Sequence, residues 1–317
     1  MATGDKDAND KSLVRVTVVD LGQLVGPASA LIEKISNAIG GIYKPFQIVR
    51  VAKAEAEAEL IRANAQIEIT DLHRRAMLRF VGEEAKKQAN IEAITQEALP
   101  LLEDQSSPEK VEDDWITSFF DKCRSVSDTE MQRLWARVLA GEANEPGHFS
   151  RKTINLVADL NKRDAELFTR LCRCNWVVGD VVPLVFPKDF AVAHQFDISS
   201  IYVQYGITFD VLTHLHTLGL IVYNGIQTYG KQGLPARFMV FYFGRPLALV
   251  MKPKMANLLD TGQVILTKAG RELARFCGAT PIDGFYDLVA KHWKAKGLIP
   301  ETATETSSEA GPQQVGG

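Results

Sequence analysis

A long run of helix-forming residues between positions 46 and 102 constrains the fold of this chain more than any other feature. Alanine, glutamate, lysine and arginine dominate the run, which includes AKAEAEAEL at residues 52–60. These residue types have high helix propensities. The apolar positions are irregularly spaced, and Arg74 and Arg75 interrupt any heptad, so a sustained coiled coil is not predicted. We predict a mostly continuous helix that either lies along its own protein or associates with a second copy.

Composition narrows the class of protein. The chain has 317 residues, of which 46% are hydrophobic and 24% charged, which allows a substantial core divided into two or three modules. Its four cysteines follow no disulfide framework, and residues 1–12 are polar rather than a signal segment. No stretch reaches the roughly 20 apolar residues that a membrane-spanning helix needs. We expect a cytoplasmic, mainly α (α+β) protein.

An amphipathic segment precedes the long helix. Residues 1–20 are expected to be disordered or extended, and residues 21–102 to form an amphipathic helix plus the long charged helix. Leu24, Leu31, Ile35 and Ile39 lie on the apolar face of the amphipathic helix. This face either packs against the long helix or inserts at a membrane surface. Packing is favoured, because Lys34 is the only cation that would attract the segment to anionic lipid.

A helical bundle is predicted at residues 110–175, after a linker at residues 103–109 that contains two serines and a proline. Apolar residues recur there at helical spacing. Helix boundaries are expected at residues with capping chemistry: starts at Ser127 (in a capping box with Glu130), Ser150 and Asp164, and an end at Gly141.

Residues 176–297 follow the order of a winged helix-turn-helix. Thr208 is expected to cap a short helix, and Leu220–Tyr223 leads into the turn residues Asn224 and Gly225. Phe238–Phe243 is then predicted to be the return strand, before a second helix. We therefore predict a winged-helix-like α+β module, followed by a disordered tail at residues 298–317.

This module carries most of the basic charge. Residues 207–280 contain eight Lys and Arg against three Asp and Glu, a surplus of five positive charges in a chain whose net charge is −3. Lys231, Arg237, Lys268 and Arg271 are the candidate nucleic-acid contacts. The presumed recognition helix has no Arg or Lys to read bases, which favours a structural or protein-binding role. A contiguous face of the four residues would favour nucleic acid, and a scattered arrangement protein contacts.

The sequence predicts no catalytic residue, cofactor, metal site or small-molecule substrate. Residues 225–231 imitate a phosphate-binding loop, but Gln232 replaces the Ser or Thr that binds Mg²⁺, and the flanking residues predict a hairpin. The pairs Cys172/Cys174 and His214/His216 are spaced two apart, so on a helix they would not face one ligand.

Several runs resemble a known family. GIYKP (41–45), AKAEAE (52–57), Arg74–Arg75, Glu83–Glu84 and QANIE (88–92) are similar to the bacterial family called domain of unknown function 2806. WARVLAGE (135–142), with Phe149–Ser150 and Asp164–Ala165, continues the likeness. Trp135–Ala136, Gly219–Ile221 and VILTKAG (264–270) resemble the abortive-infection alpha family, which implies a role in antiphage defence.

Two functional hypotheses follow. The first is a non-enzymatic, self-associating cytoplasmic protein, a homo-oligomer, that acts as an antiphage effector through its amphipathic helix at the inner membrane. The second is a nucleic-acid-binding regulator that uses the winged-helix-like module. Neither resemblance supplies catalytic residues, so none is transferred to this sequence.

Overall fold

The computed structural model describes residues 26–39, 70–186, 198–251 and 258–299. Over these ranges the chain forms ten α-helices: α1 Pro27–Ile39, α2 Asp71–Ala98, α3 Asp113–Cys123, α4 Thr129–Asn144, α5 Arg151–Asp159, α6 Lys162–Cys172, α7 Ile198–Gln204, α8 Phe209–Thr217, α9 Lys268–Ala274 and α10 Phe285–Ala295. The strands are β1 Asn175–Val177, β2 Val181–Pro183, β3 Ile221–Tyr223, β4 Tyr229–Lys231, β5 Arg237–Tyr242, β6 Arg245–Val250, β7 Leu259–Gly262 and β8 Val264–Leu266. The predicted mainly α (α+β) class is confirmed.

Helix α1 packs against α3 and against the 3₁₀ turn Pro108–Lys110. Leu31 and Ile35 are fully buried in this contact, and Ile39 is half-buried, whereas Leu24 lies outside the described residues. The sequence favours the long helix as the packing partner of this apolar face, whereas in the structure the partner is α3. The physical reason is that α3 presents a broad apolar face, while the part of α2 beside Ile39 carries Glu84 and Lys87.

Helix α2 is the described part of the predicted long helix. The hydroxyl of Thr70 accepts a hydrogen bond from the His73 amide and caps its first turn. Its C-terminal half packs against α4 and buries Ile91, Ile94 and Ala98. Nearly every residue from Asp71 to Lys86 is exposed. The helix therefore has one half in the core and one half outside it. Residues 46–69 of the predicted run lie beyond the described part of the chain.

Two predicted helix boundaries were wrong. Asp128, not Ser127, caps α4, because its carboxylate accepts from the amides of Glu130 and Met131. Gly141 does not end α4, which continues to Asn144. A Cβ at Gly141 would lie 2.6 Å from Cε1 of Phe276, so glycine is needed there for close packing within a helix.

The two remaining helix starts agree with prediction to within one turn. Ser150 caps α5, since its hydroxyl accepts from the Thr153 amide. Asp164 is the third residue of α6 rather than its first; its carboxylate accepts from the Asn161 amide in a reciprocal capping box. Both helices therefore begin where short polar side chains satisfy free backbone amides.

The strands form one four-stranded sheet, in the order β2-β1-β5-β6, and the two pairs β3-β8 and β4-β7. The predicted return strand, Phe238–Phe243, is largely β5, but it does not pair with β3. It forms a hairpin with β6 through Phe243 and Gly244, whose φ angles of 46° and 81° suit a tight two-residue turn. Strand β8 pairs with β3 instead, which brings β8 and the following α9 beside α8 and β3. The β5–β6 hairpin lies between β4 and β7 in the chain.

One cluster of buried apolar side chains extends from Leu31 in α1 to Leu298 after α10. It contains Trp135 of α4, Trp176 of β1 and Trp293 of α10, all of which are fully buried. The helical part and the sheets thus share a continuous core.

Candidate functional site

The predicted basic residues lie in different surroundings. Lys231 is on β4, and its ammonium group lies over Gly179 in the β1–β2 turn. Arg271, on α9, reaches the same turn: its Nε is 3.9 Å from a carboxylate oxygen of Asp180, and its Nη1 donates to the carbonyl of Leu266. The structure therefore brings Lys231 and Arg271 to one turn.

The other two predicted residues face elsewhere. Lys268 is exposed, and its ammonium group is 3.7 Å from Glu272, toward the helical bundle. Arg237 is exposed at the start of β5, and no carboxylate among the described residues forms an ion pair with it. Two of the four cations thus have an intramolecular carboxylate partner. Nucleic-acid contact by these residues stays a prediction.

Helix α8, which the sequence predicts to be the recognition helix, is attached to the helical bundle. Nε2 of His214 is 2.7 Å from a carboxylate oxygen of Asp164 in α6. Asp164 is itself buried, and its other oxygen accepts from the Asn161 amide in the capping box of α6, so the carboxylate joins α6 to α8. Phe209, at the first turn of α8, is exposed and meets the ring of Tyr223 edge-on. The exposed surface of α8 therefore carries no Lys or Arg.

The exposed half of α2 carries large apolar side chains. Four of them are between about half and two-thirds exposed: Leu72, Met77, Leu78 and Phe80. Phe80 falls on the same helical face as Ile91, Ile94 and Ala98, which pack on α4 further along the helix. The apolar face of α2 thus continues past the edge of the core, and no described element covers it.

Charges on this half of α2 are arranged in blocks. Asp71 precedes Arg74 and Arg75, and Glu83 and Glu84 come two turns later. The ion pairs Arg75–Asp71 and Arg79–Glu83 are long, at 3.5 and 3.6 Å, and solvent-exposed. Exposed pairs of this kind contribute only about 0.3–0.5 kcal/mol each. They can exchange partners at little cost in free energy.

The four cysteines are buried and reduced. Burial raises the pKa of the Cys123 and Cys174 thiols well above their ordinary range. Cys172 and Cys277 are adjacent, and a hydrogen bond from the Cys172 thiol lowers the pKa of Cys277. The Cys172/Cys174 pair thus occupies structural positions within the core.

Within the described ranges, no group of three or more His, Cys, Asp or Glu side chains could hold a metal ion. Among the same residues, no helix is both long enough and apolar enough to cross a membrane.

The profile of the family described as Protein of unknown function (DUF2806) matches residues 74–290. The chain belongs to this family. The match begins in the exposed half of α2 and ends in α10, and it gives no support to the resemblance with the abortive-infection alpha family. No curated protein matches the chain, and no solved structure matches it either.

The run WARVLAGE, which carried the DUF2806 resemblance, builds a junction in the structure. Glu142 is buried, and its carboxylate accepts hydrogen bonds from the amides of Gly147 (2.7 Å) and Phe149 (2.8 Å). Burial raises the pKa of the Glu142 carboxyl, although the two amides act in the opposite direction. Glu142 therefore shapes the loop that leads into α5.

Sequence reasoning missed Glu272, which completes this junction. It lies on α9, is buried, and accepts hydrogen bonds from Ser150 and Thr153 at the start of α5. A glutamate in a short helix carries no local signal of such a role, because its partners are more than a hundred residues away. Only the chain fold brings α9 beside α5.

Proposed function

We propose that this protein is non-enzymatic and self-associating, and that two copies pair through the exposed half of α2. The observation that carries the proposal is the position of Phe80, which is 60% exposed on the face that α2 otherwise buries in the core. Met77 stands beside it and is also about half exposed. Contiguous exposed apolar side chains of this kind mark interaction surfaces.

A second copy of the same helix is the partner that fits this surface. If two copies cross antiparallel about Arg79, Met77 and Phe80 of each fall near the centre of the contact. Such a two-fold arrangement is self-complementary, because every contact occurs twice.

Light scattering on the full-length protein at micromolar concentration tests association. We expect a mass above that of the 35.0 kDa monomer for the wild type. Phe80→Glu places a charge in the proposed contact and should reduce the mass to the monomer value. Ile226→Glu is the matched control, since Ile226 is 94% exposed on a distant loop. A monomeric wild type, or equal effects of both variants, would reject the proposal.

An antiphage effector that acts at the membrane is an extension of this proposal. It requires α1 to leave α3, because Leu31 and Ile35 are fully buried there, and Lys34 forms a 2.7 Å ion pair with Asp113. The cytoplasmic, membrane-free form of the proposal requires no such rearrangement. Following viability and membrane potential after phage challenge, with and without the protein, distinguishes the two.

The nucleic-acid regulator is the second candidate. Lys231 and Arg237 favour it, since neither forms an ion pair with a carboxylate among the described residues. Two cations on separate strands support weak phosphate binding rather than base readout.

A further inference from the structure

A cleft of about 480 Å³ lies between α4 and α6, with the segment after α9 at its base. None of its lining residues belongs to α2, so the cleft is independent of the proposed association surface. Its volume falls within the range of roughly 300–1,000 Å³ that is common for small-molecule sites.

The cleft is strongly basic. Five cationic side chains line it: Arg133, Arg137, Lys162, Arg170 and Arg173. Two carboxylates, Glu130 and Glu166, oppose them, which leaves a surplus of three positive charges in a protein whose net charge is −3. A local surplus opposite in sign to the whole chain attracts small anions.

Two of these cations form ion pairs with carboxylates, and a third donates to backbone carbonyls. Lys162 forms a 3.1 Å ion pair with Glu130, and Arg170 a longer 3.8 Å pair with Glu166. Arg173 donates to the carbonyls of Thr280 and Pro281. These contacts hold the ends of the cleft in place.

Arg133 and Arg137 differ from Lys162 and Arg170. They lie one turn apart on α4, and no carboxylate in the described part of the chain forms an ion pair with either. Arg137 is half-buried, and its guanidinium donates to the carbonyl of Cys277 at 3.4 Å. The charges of Arg133 and Arg137 therefore have no carboxylate counter-ion among the described residues and are available to an anionic ligand.

Gly278 positions the Arg137 side chain. Its φ of 76° lies in the left-handed region, and a Cβ there would be 2.7 Å from Nη1 of Arg137. The guanidinium thus lies directly against the backbone of Gly278. The Cys277 carbonyl also accepts a hydrogen bond from the hydroxyl of Thr169. Because a guanidinium group has several N–H donors, Arg137 retains others for a ligand.

We propose that this cleft binds a small organic phosphate through Arg133 and Arg137. Guanidinium groups match the geometry of phosphate oxygens and bind them in pairs. Neighbouring apolar side chains, Leu134, Phe168 and Leu273, line the same cleft and provide a surface for an organic body. The preferred ligand therefore combines a phosphate or diphosphate group with an apolar or aromatic part.

Calorimetry on the full-length protein tests the site, with ADP and inorganic pyrophosphate as probes. ADP should bind more tightly than pyrophosphate, because only ADP has an aromatic body. Arg133→Met and Arg137→Met should each weaken ADP binding about tenfold. Arg237→Met, which removes an exposed cation on another face, should change it less than about twofold.

Arg133 is exposed on the surface of α4, so Arg133→Met should preserve the fold even if Arg137→Met does not. A thermal melt of each variant verifies this. Absence of ADP binding up to millimolar concentration overturns the proposal, as does an equal loss in Arg133→Met and Arg237→Met. Equal affinities for pyrophosphate and ADP would overturn the organic part. Phe80→Glu should leave ADP binding unchanged, so failure of the association proposal is distinguishable from failure of this one.

Discussion

The backbone amide of Ser150 donates a 3.0 Å hydrogen bond to the carboxylate of Glu272, which lies 122 residues further along the chain. The Ser150 and Thr153 hydroxyls donate to the same oxygen atom. A buried carboxylate at a helix N-terminus compensates the free amides and the positive end of the helix dipole. Glu272 thereby joins α9 to the start of α5.

Removing this carboxylate should destabilise the protein. In Glu272→Ala, the Ser150 amide and the Thr153 hydroxyl lose their buried acceptor, at a cost of about 2–3 kcal/mol. Urea denaturation measures the change in the free energy of unfolding. Lys152→Met is the control, since Lys152 is exposed on α5 and its replacement should change stability by less than about 0.5 kcal/mol. If the two variants are equally stable, the carboxylate does not hold the junction.

The Glu142 carboxyl should make stability depend on pH. Burial raises its pKa above the ordinary value of 4.5, so the native protein holds this proton more strongly than the unfolded chain does. Its contribution is therefore greatest below pH 4.5 and is lost as the pH rises through the native-state pKa.

Glu142→Gln removes this titration. The free energy of unfolding of the variant, relative to the wild type, should rise as the pH increases above 4.5. Urea denaturation at a series of pH values measures the difference, in which the other carboxylates cancel. A difference that falls with increasing pH would mean that the amides of Gly147 and Phe149 outweigh burial.

A charge in the α1–α3 contact should detach α1 from α3 and destabilise the protein. Ile35 is fully buried, so Ile35→Glu should cost on the order of 2–5 kcal/mol and lower the melting temperature. Asn37→Glu places the same charge on the exposed side of the same helix and should have little effect. Dye release from anionic liposomes is measured in parallel, and the wild type should cause none. A stable Ile35→Glu protein that loses a leakage activity of the wild type would instead assign α1 to the membrane.

Duplex DNA should bind weakly, with strong dependence on salt and no sequence preference, because α8 carries no Arg or Lys. Lys231→Met and Arg237→Met should each reduce the slope of log affinity against log salt by about one. Lys122→Met, on the distant helix α3, is the control. A salt-resistant, sequence-selective complex in gel-shift experiments would contradict the expectation.

Much of the helical structure was predictable because its signals are local. The periodicity of Leu167, Phe168 and Leu171 marks the buried face of α6, and Thr208 and Ser150 cap the helices that were predicted after them. Each of these signals acts within about four residues, so no knowledge of the fold is required. The basic surplus in residues 207–280 was equally visible, but the surroundings of Lys231 and Arg271 were not.

By itself, the sequence determined the class and, for helices such as α5 and α8, the capping residue, because backbone hydrogen bonding and apolar spacing are properties of neighbouring residues. The tertiary structure alone decided which surfaces meet. From sequence, Gly141 is predicted to end a helix, whereas in the structure Phe276 packs against it inside the helix. Arg137 resembles any surface charge in the sequence, but the structure places its guanidinium against Gly278 and Cys277. In both cases the partner is more than a hundred residues away, and contacts over that separation depend on how the whole chain closes on its core.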